Sequence, residues 1–160
     1  MTSRLPAVVI TALFLGTSPL LAADGAATVA EPTAVELWQE DPARIFDGAE
    51  VDLDAFRWLA RPIVVFADTP ADPRFVEQME LLAEGIEDLV ERDVVIITDT
   101  DPSARTAVRK KLRPRGYMVA VIGKDGGVKL RKPLPWSVRE FSRSIDKMPL
   151  RQREIREISE

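Results

Sequence analysis

The 160-residue chain contains no cysteine and no histidine. Without a thiol it can form no disulfide, and it offers no thiolate for redox chemistry. Without imidazole it lacks the side chain that most often transfers protons near neutral pH. Enzymes that depend on cysteine or histidine are therefore excluded, and the fold must rely on its hydrophobic core for stability.

The chain also has little excess charge. It carries 22 Lys and Arg against 26 Asp and Glu, a formal net charge of −4. A mildly acidic balance suits solubility and gives no sign of nucleic-acid binding. We therefore predict no nucleic-acid partner, and no motif for a cofactor is present.

The first 23 residues have the pattern of a secretory signal peptide. Arg4 provides the charge, an apolar run follows from Leu5 to Leu21, and two alanines offer a cleavage site. Two prolines in the run make it a poor membrane-spanning helix, so no stable membrane anchor is expected after cleavage. The protein is predicted to be periplasmic or secreted.

Four segments are predicted along the chain: the signal peptide (1–23), a flexible Ala-rich leader (24–34), a folded domain (35–150) and a charged tail (151–160). Short amphipathic pieces at the start of the domain are expected to form helical turns. Two tryptophans, Trp38 and Trp58, lie in them and are predicted to anchor the core, because large aromatic side chains bury well.

The folded domain alternates between buried strands and amphipathic helices. Continuous apolar runs predict strands, because a strand covered on both faces is apolar throughout. A Gly-rich hairpin turn joins the last two strands. The predicted strands are Ile63–Ala67, Val94–Thr98, Tyr117–Ile122 and Val128–Arg131.

The predicted helices follow from capping residues. Asp72-Pro73 opens a helix with an apolar stripe over residues 75–89, in which Gly85 would allow close packing on the sheet. Asp101-Pro102 opens the next helix, with Ala104, Val108 and Leu112 facing inward. Ser137 and Glu140 form the capping box of the last helix, which Pro149 is expected to end.

This order predicts an α/β domain, a central mixed sheet of about four strands flanked by helices. The same order is that of the thioredoxin core, and the hairpin resembles that of thioredoxins. On this alignment Pro70–Pro73 takes the place of the redox Cys-x-x-Cys motif, and Met118 takes that of the cis-proline. Both catalytic hallmarks are absent.

A second resemblance covers residues 52–156. Its motifs are LDAFRWLARPIVVFA (53–67), ERDVVI (91–96), GKDGGVKLR (123–131) and MPLRQREIR (148–156). They resemble a bacterial exported family of unknown function, with related domains in vertebrate sushi-repeat and coiled-coil extracellular-matrix proteins. That family is regarded as thioredoxin-like and peroxiredoxin-related. The resemblance implies fold and compartment and transfers no catalytic residue.

The loop after the first predicted strand is one candidate site for a small anion. Ligands of open α/β sheets bind at the carboxyl ends of strands, and a helix amino terminus favours anions. Arg74 could add a charged contact, together with Arg57 or Arg61. The alternative is an ordinary turn capped by Asp72. The candidate contact residues are Asp68, Thr69, Asp72 and Arg74.

The dense basic run over residues 109–115 is the second candidate. It would contact an acidic periplasmic protein partner or anionic lipid headgroups. The alternative is a solvated helix end, where cations suit the helix dipole. The candidate contact residues are Arg109, Lys110, Lys111, Arg113 and Arg115.

Carboxylates at the strand edge supply the remaining alternative. Asp68, Asp72, Asp99 and Asp101 are expected to lie near each other, and several carboxylates can hold a divalent cation. Two of them have capping roles, and their spacing matches no known loop, so no metal site is predicted. The sequence thus favours an exported non-catalytic binding module. A cysteine-independent enzyme or a divalent-metal site is the alternative.

Overall fold

The computed structural model describes residues 31–160, so the predicted signal peptide and residues 24–30 of the leader lie outside the described residues. The helices are α1 (Ala34–Glu40), α2 (Pro73–Ala83), α3 (Ile86–Val90), α4 (Ala107–Leu112), α5 (Val138–Asp146) and α6 (Pro149–Ile158). The strands are β1 (Ile45–Asp47), β2 (Arg61–Phe66), β3 (Val94–Asp99), β4 (Met118–Ile122) and β5 (Val128–Lys132). Two 3-10 turns cover Leu53–Phe56 and Pro102–Ala104. Over residues 31–160, no helix has both the length and the apolarity that crossing a membrane requires.

The five strands form one mixed sheet in the order β1-β3-β2-β4-β5. Strands β1 and β2 run parallel to β3, β4 runs antiparallel to β2, and β5 runs antiparallel to β4. The predicted α/β fold with a central mixed sheet is confirmed. The additional strand is β1, whose three residues are too few to show a period of two in the sequence.

Helices cover both faces of the sheet. Val64 and Phe66 of β2 point to the face packed by α1, α4 and the first 3-10 turn. Ile63 and Val65 point to the face packed by α2, α3 and α5. All six residues of β2 are buried, as the continuous apolar run predicts for a central strand.

The first predicted helix is divided in two at Gly85. A Cβ atom at this position would lie 3.0–3.2 Å from the side chain of Val138 in α5. Glycine therefore allows the helices to approach each other, and the prediction that it serves packing on the sheet is wrong. The apolar stripe is interrupted because α3 turns to meet α5.

Gly85→Ala is expected to lower the free energy of unfolding by about 1–2 kcal/mol. The backbone φ of Gly85 is −144°, which alanine adopts freely, so the loss comes from the contact with Val138. Urea denaturation of G85A, V138A and the double variant measures the coupling between the two positions. If the two single losses simply add, the close contact does not limit this position.

The second predicted helix is divided into a 3-10 turn over Pro102–Ala104 and the helix α4, in which Val108 and Leu112 are buried as predicted. Asp101 caps only the 3-10 turn, Arg105 has a left-handed φ of 46°, and the Thr106 hydroxyl accepts from Arg109 N–H to begin α4. Ala104 is consequently exposed and does not face the core. A single long helix cannot continue through the left-handed residue.

The last predicted helix begins at its capping box, as predicted. The Glu140 carboxylate accepts from the backbone N–H and the hydroxyl of Ser137, at 2.8 and 2.9 Å. Pro149 does not end this helix, since α5 stops at Asp146. Pro149 instead opens α6, because a residue without N–H is suited to the first helical position. Most of the predicted tail is thus helical.

The two amino-terminal tryptophans have different environments. Trp38 is 9% exposed, and its indole N–H donates to the Val94 carbonyl. Trp58 is 63% exposed and has a left-handed φ of 67°, so core anchoring is wrong for this residue. Phe56 takes the core position instead, at 0% exposed.

Candidate functional site

The segment from Asp68 to Arg74 leads from β2 into the first turn of α2 and forms hydrogen bonds within itself. The Asp72 carboxylate accepts from the Arg74 backbone N–H at 2.9 Å and from its guanidinium at 3.0 Å. The hydrogen bond from the Arg74 side chain is the main reason that the pKa of Asp72 lies below its ordinary value. The Thr69 hydroxyl accepts from Ala71 N–H. Asp72 thus already occupies the guanidinium and the backbone N–H of Arg74, which an anion would need here.

The other two arginines proposed for this loop lie elsewhere. The Arg57 side chain donates to the Asp125 carbonyl in the hairpin turn. Arg61 is buried at the start of β2, whereas the loop follows the end of that strand. The expectation that either one joins Arg74 is wrong.

The basic run is divided between the interior and the surface. Arg109 points inward, and its Nη2 lies 2.7 Å from Oδ1 of Asp99. The same nitrogen donates to the carbonyls of Ala67 and Asp99. Its Nη1 lies 3.8 Å from the Asp68 carboxylate. Arg109 therefore connects α4 to the ends of β2 and β3.

The next two lysines of the run point outward and differ in their partners. Lys111 Nζ lies 2.7 Å from the Asp54 carboxylate, and both side chains are exposed. Lys110 is exposed and forms no salt bridge with any acid of residues 31–160.

Two of the four strand-edge carboxylates, Asp68 and Asp99, face the same Arg109 guanidinium. Asp99 is buried and accepts from the Thr106 hydroxyl at 2.5 Å, in addition to its pair with Arg109. Asp101 caps its 3-10 turn. Over the described range, no three acidic side chains are grouped so that they could hold a metal ion.

The remaining cations of the run meet at a cleft. Arg113 and Arg115 follow α4, and Arg131 and Lys132 come from the end of β5. Tyr117, Met118 and Pro133 complete the walls of this cavity of about 270 Å³. We call it the cationic cleft. Left-handed residues at Arg113 and Gly116 turn the chain so that α4 leads into β4 beside β5.

The cationic cleft contains no acidic side chain. None of its four cations forms a salt bridge with an acid in residues 31–160. The Arg131 guanidinium donates to the Leu112 carbonyl at the end of α4, which fixes its position. The ammonium of Lys132 lies 4.5 Å from the centre of the Trp136 ring. Positive charge is thus concentrated in a cleft of an acidic protein, an arrangement that attracts anions.

Tyr117 and Gln78 support one wall of the cationic cleft. Burial raises the pKa of the Tyr117 hydroxyl, although the charge of Arg74 opposes this, so the phenol stays neutral. The hydroxyl donates to Oε1 of Gln78, which is fully buried. The Gln78 amide also exchanges hydrogen bonds with both backbone groups of Trp136. These bonds join α2 to the segment after β5 and to Tyr117, the residue before β4.

Sequence reasoning found Arg113 and Arg115 but missed Arg131, Lys132 and the support from Gln78. The two cations could have been found from the strand pairing of the predicted hairpin, which sets Lys132 opposite Val119 and Arg131 opposite Ala120. That pairing alone brings both cations next to the loop before β4. The signal for Gln78 is a polar residue within the apolar stripe of α2.

The fold defines the class of this protein. It is similar to the reduced 2-Cys peroxiredoxin of Plasmodium vivax, with a TM-score of 0.53, 13% identity, and coverage of 66% of this chain and 90% of that one. It is also similar to thioredoxin peroxidase I of Plasmodium yoelii, with a TM-score of 0.51, 15% identity, and coverage of 65% and 81%. At these identities the likeness shows the thioredoxin-like fold alone.

The amino-acid sequence identifies the family of this chain. A family model described as a domain of unknown function, DUF4174, matches residues 52–154, and the chain belongs to this family. No curated protein matches the chain. The described domain therefore combines a thioredoxin-like fold with membership of a family of unknown function. The chain has no thiol.

Proposed function

We propose that the protein is an exported, non-catalytic binding module that holds an anionic group in the cationic cleft. One observation carries the proposal: Arg113, Arg115, Arg131 and Lys132 line one cavity with no acidic side chain among them. Arginine suits this role because its planar guanidinium can donate two hydrogen bonds to a carboxylate or a phosphate. The absence of cysteine and histidine supports binding without catalysis.

The size of the cleft supports a small group. A volume of about 270 Å³ accommodates a phosphate or an acidic side chain. The rigid part of the wall is Arg131, which is held by the Leu112 carbonyl. Arg113 and Arg115 are exposed and free to close on the ligand.

Export belongs to the same proposal. The signal-like residues 1–23 support a periplasmic or secreted location, as does the resemblance to exported bacterial proteins and to vertebrate sushi-repeat matrix proteins. The mass of the chain recovered from the periplasm or the medium tests this part. A chain that remains in the cytoplasm with residues 1–23 attached would contradict it.

The double variant Arg113→Ala/Arg115→Ala is expected to weaken anion binding at least about tenfold, because charge-assisted hydrogen bonds contribute about 1.5–3 kcal/mol each. Titration calorimetry at low salt, with inorganic phosphate and with triglutamate as probes, measures this loss on the full chain. Low salt keeps the contributions of exposed charges measurable.

Lys110→Ala/Arg139→Ala is the matched control. It removes two exposed cations that do not line the cleft, so it changes the net charge equally. We expect its affinity to stay close to that of the unchanged chain. An equal loss in both double variants, or no binding of either probe to the unchanged chain, would show that the cleft is not a specific site.

A further inference from the structure

We infer that the natural ligand is an extended acidic protein segment, which adds to the sheet as a sixth strand along β5 and places a carboxylate in the cationic cleft. This inference rests on the proposed function and names the partner of the same cleft. It follows from the position of β5, from the charges along that strand and from the repulsion between two copies.

The position of β5 leaves one of its edges open. Over residues 31–160 this strand pairs only with β4, and it ends the strand order. None of its five residues is fully buried, in contrast to the central strand β2. An open edge presents backbone N–H and C=O groups that an extended segment can pair with.

The charges along β5 favour an acidic segment. Leu130 packs into the core on the side of α2, α3 and α5. Arg131 lies on the opposite face, where it reaches Leu112 of α4. Lys129 lies between Val128 and Leu130, where the pairing with β4 shifts by one residue, and its ammonium is already paired with Asp125 at 2.6 Å. Arg131 is therefore the cation of this face that is available to an added strand.

The cationic cleft lies at the end of this same edge. An added strand that alternates acidic and apolar residues would direct its carboxylates to the face of Arg131. Its next carboxylate along the strand would enter the cleft beside Arg113 and Arg115. Backbone pairing and charge recognition thus come from one continuous surface.

A second copy of this chain is a poor occupant of the edge. Pairing of two β5 strands would bring Lys129, Arg131 and Lys132 of one copy against the same cations of the other. Like charges opposite each other destabilise a strand pair, and cations on edge strands are a common protection against self-pairing. The same charges select a partner of opposite sign.

Synthetic peptides of about eight residues, the length of an ordinary strand, test the inference on the full chain. The first peptide alternates glutamate and valine, and the second has lysine in place of glutamate. Two further peptides carry N-methyl groups on the odd or on the even residues of the glutamate peptide. Titration calorimetry measures affinity, and amide hydrogen exchange measures the protection of residues 128–132.

We expect the glutamate peptide to bind and the lysine peptide not to bind. In an added strand, the backbone groups of alternate residues face the sheet. One N-methylated peptide should therefore lose affinity by at least about tenfold, at about 1 kcal/mol for each lost hydrogen bond. The other should bind like the unmodified peptide and slow the exchange of β5 amides.

The outcomes separate this inference from the proposed function. If phosphate and triglutamate bind but both N-methylated peptides bind like the unmodified one, backbone pairing is absent and only the strand addition is overturned. Binding to vesicles of anionic lipid, with none to the peptides, would likewise assign the cleft to headgroups. If sedimentation shows dimers that the glutamate peptide does not dissociate, the open edge of β5 would be assigned to a second copy of this chain. If no anion binds, both proposals fail.

Discussion

Replacing Arg109 with methionine is expected to lower the free energy of unfolding by about 3–5 kcal/mol, the usual loss when one partner of a buried ion pair is removed. The Asp99 side chain is 1% exposed, and Arg109 Nη2 lies 2.7 Å from it. Without the guanidinium, this carboxylate would keep only the Thr106 hydroxyl and remain out of reach of water. Urea denaturation followed by far-ultraviolet circular dichroism measures the loss.

Lys110→Met provides the control for this change. It lies next to Arg109 in α4 but is exposed, so its effect should stay within about 0.5 kcal/mol. The double variant Arg109→Met/Asp99→Asn should recover part of the stability, because it also removes the unpaired charge. A loss below about 1 kcal/mol in R109M would contradict an internal role for Arg109.

Replacing Glu154 with glutamine is expected to destabilise the protein by about 1–3 kcal/mol at neutral pH, allowing for solvent screening of its partly exposed carboxylate. Glu154 of α6 is 2.7 Å from the Arg61 guanidinium and 3.0 Å from the Lys124 ammonium. Arg61 is 1% exposed, and its Nη1 also donates to the Arg92 carbonyl and lies 3.8 Å from the Asp93 carboxylate. The variant removes the nearer of the two carboxylates that face this buried guanidinium and leaves only the more distant one of Asp93.

The same pair predicts how stability depends on pH. Burial raises the pKa of Glu154, but hydrogen bonds and charges of Arg61 and Lys124 outweigh it and lower the pKa from 4.5 to about 2. Between these values the unfolded chain binds more protons than the folded one. The contribution of Glu154 is therefore complete above about pH 5 and is lost as the pH falls toward 2.

Glu157→Gln separates this pair from a general effect of acid. Glu157 lies in the same helix but forms no salt bridge with any residue of 31–160. Denaturation midpoints between pH 7 and pH 2 should converge for E154Q and the unchanged chain, while E157Q should follow the unchanged chain throughout. Identical acid profiles for the two variants would rule out the pair as a source of acid sensitivity.

The fold could be predicted from the sequence because its strongest signals are local. Continuous apolar runs marked the central strands, and the Ser137 capping box marked the start of α5. The short strand β1 gave no such signal, since it is a strand only through its pairing with β3. Pro149 was misread because a proline suits both the residue after one helix and the first residue of the next.

The site was less predictable because a basic run has the same local signal whether a side chain points inward or outward. The direction of Arg109 is set by Asp99, which lies on another element. The partner of Lys111 is Asp54, far away in the sequence. Arg113 and Arg115 line the cleft because Arg113 and Gly116 have left-handed backbone conformations that turn the chain there. These facts depend on tertiary structure.

The position of Lys132 gives the cationic cleft an optical readout. Its ammonium lies 4.5 Å from the centre of the Trp136 ring, close enough for a cation–π contact. A charge over an indole changes the energy of its excited state, so the emission of Trp136 depends on where Lys132 lies. An anion that draws Lys132 into the cleft changes the emission spectrum. Trp38 and Trp58 do not line the cleft, and the unlabelled protein can therefore report on its own occupancy.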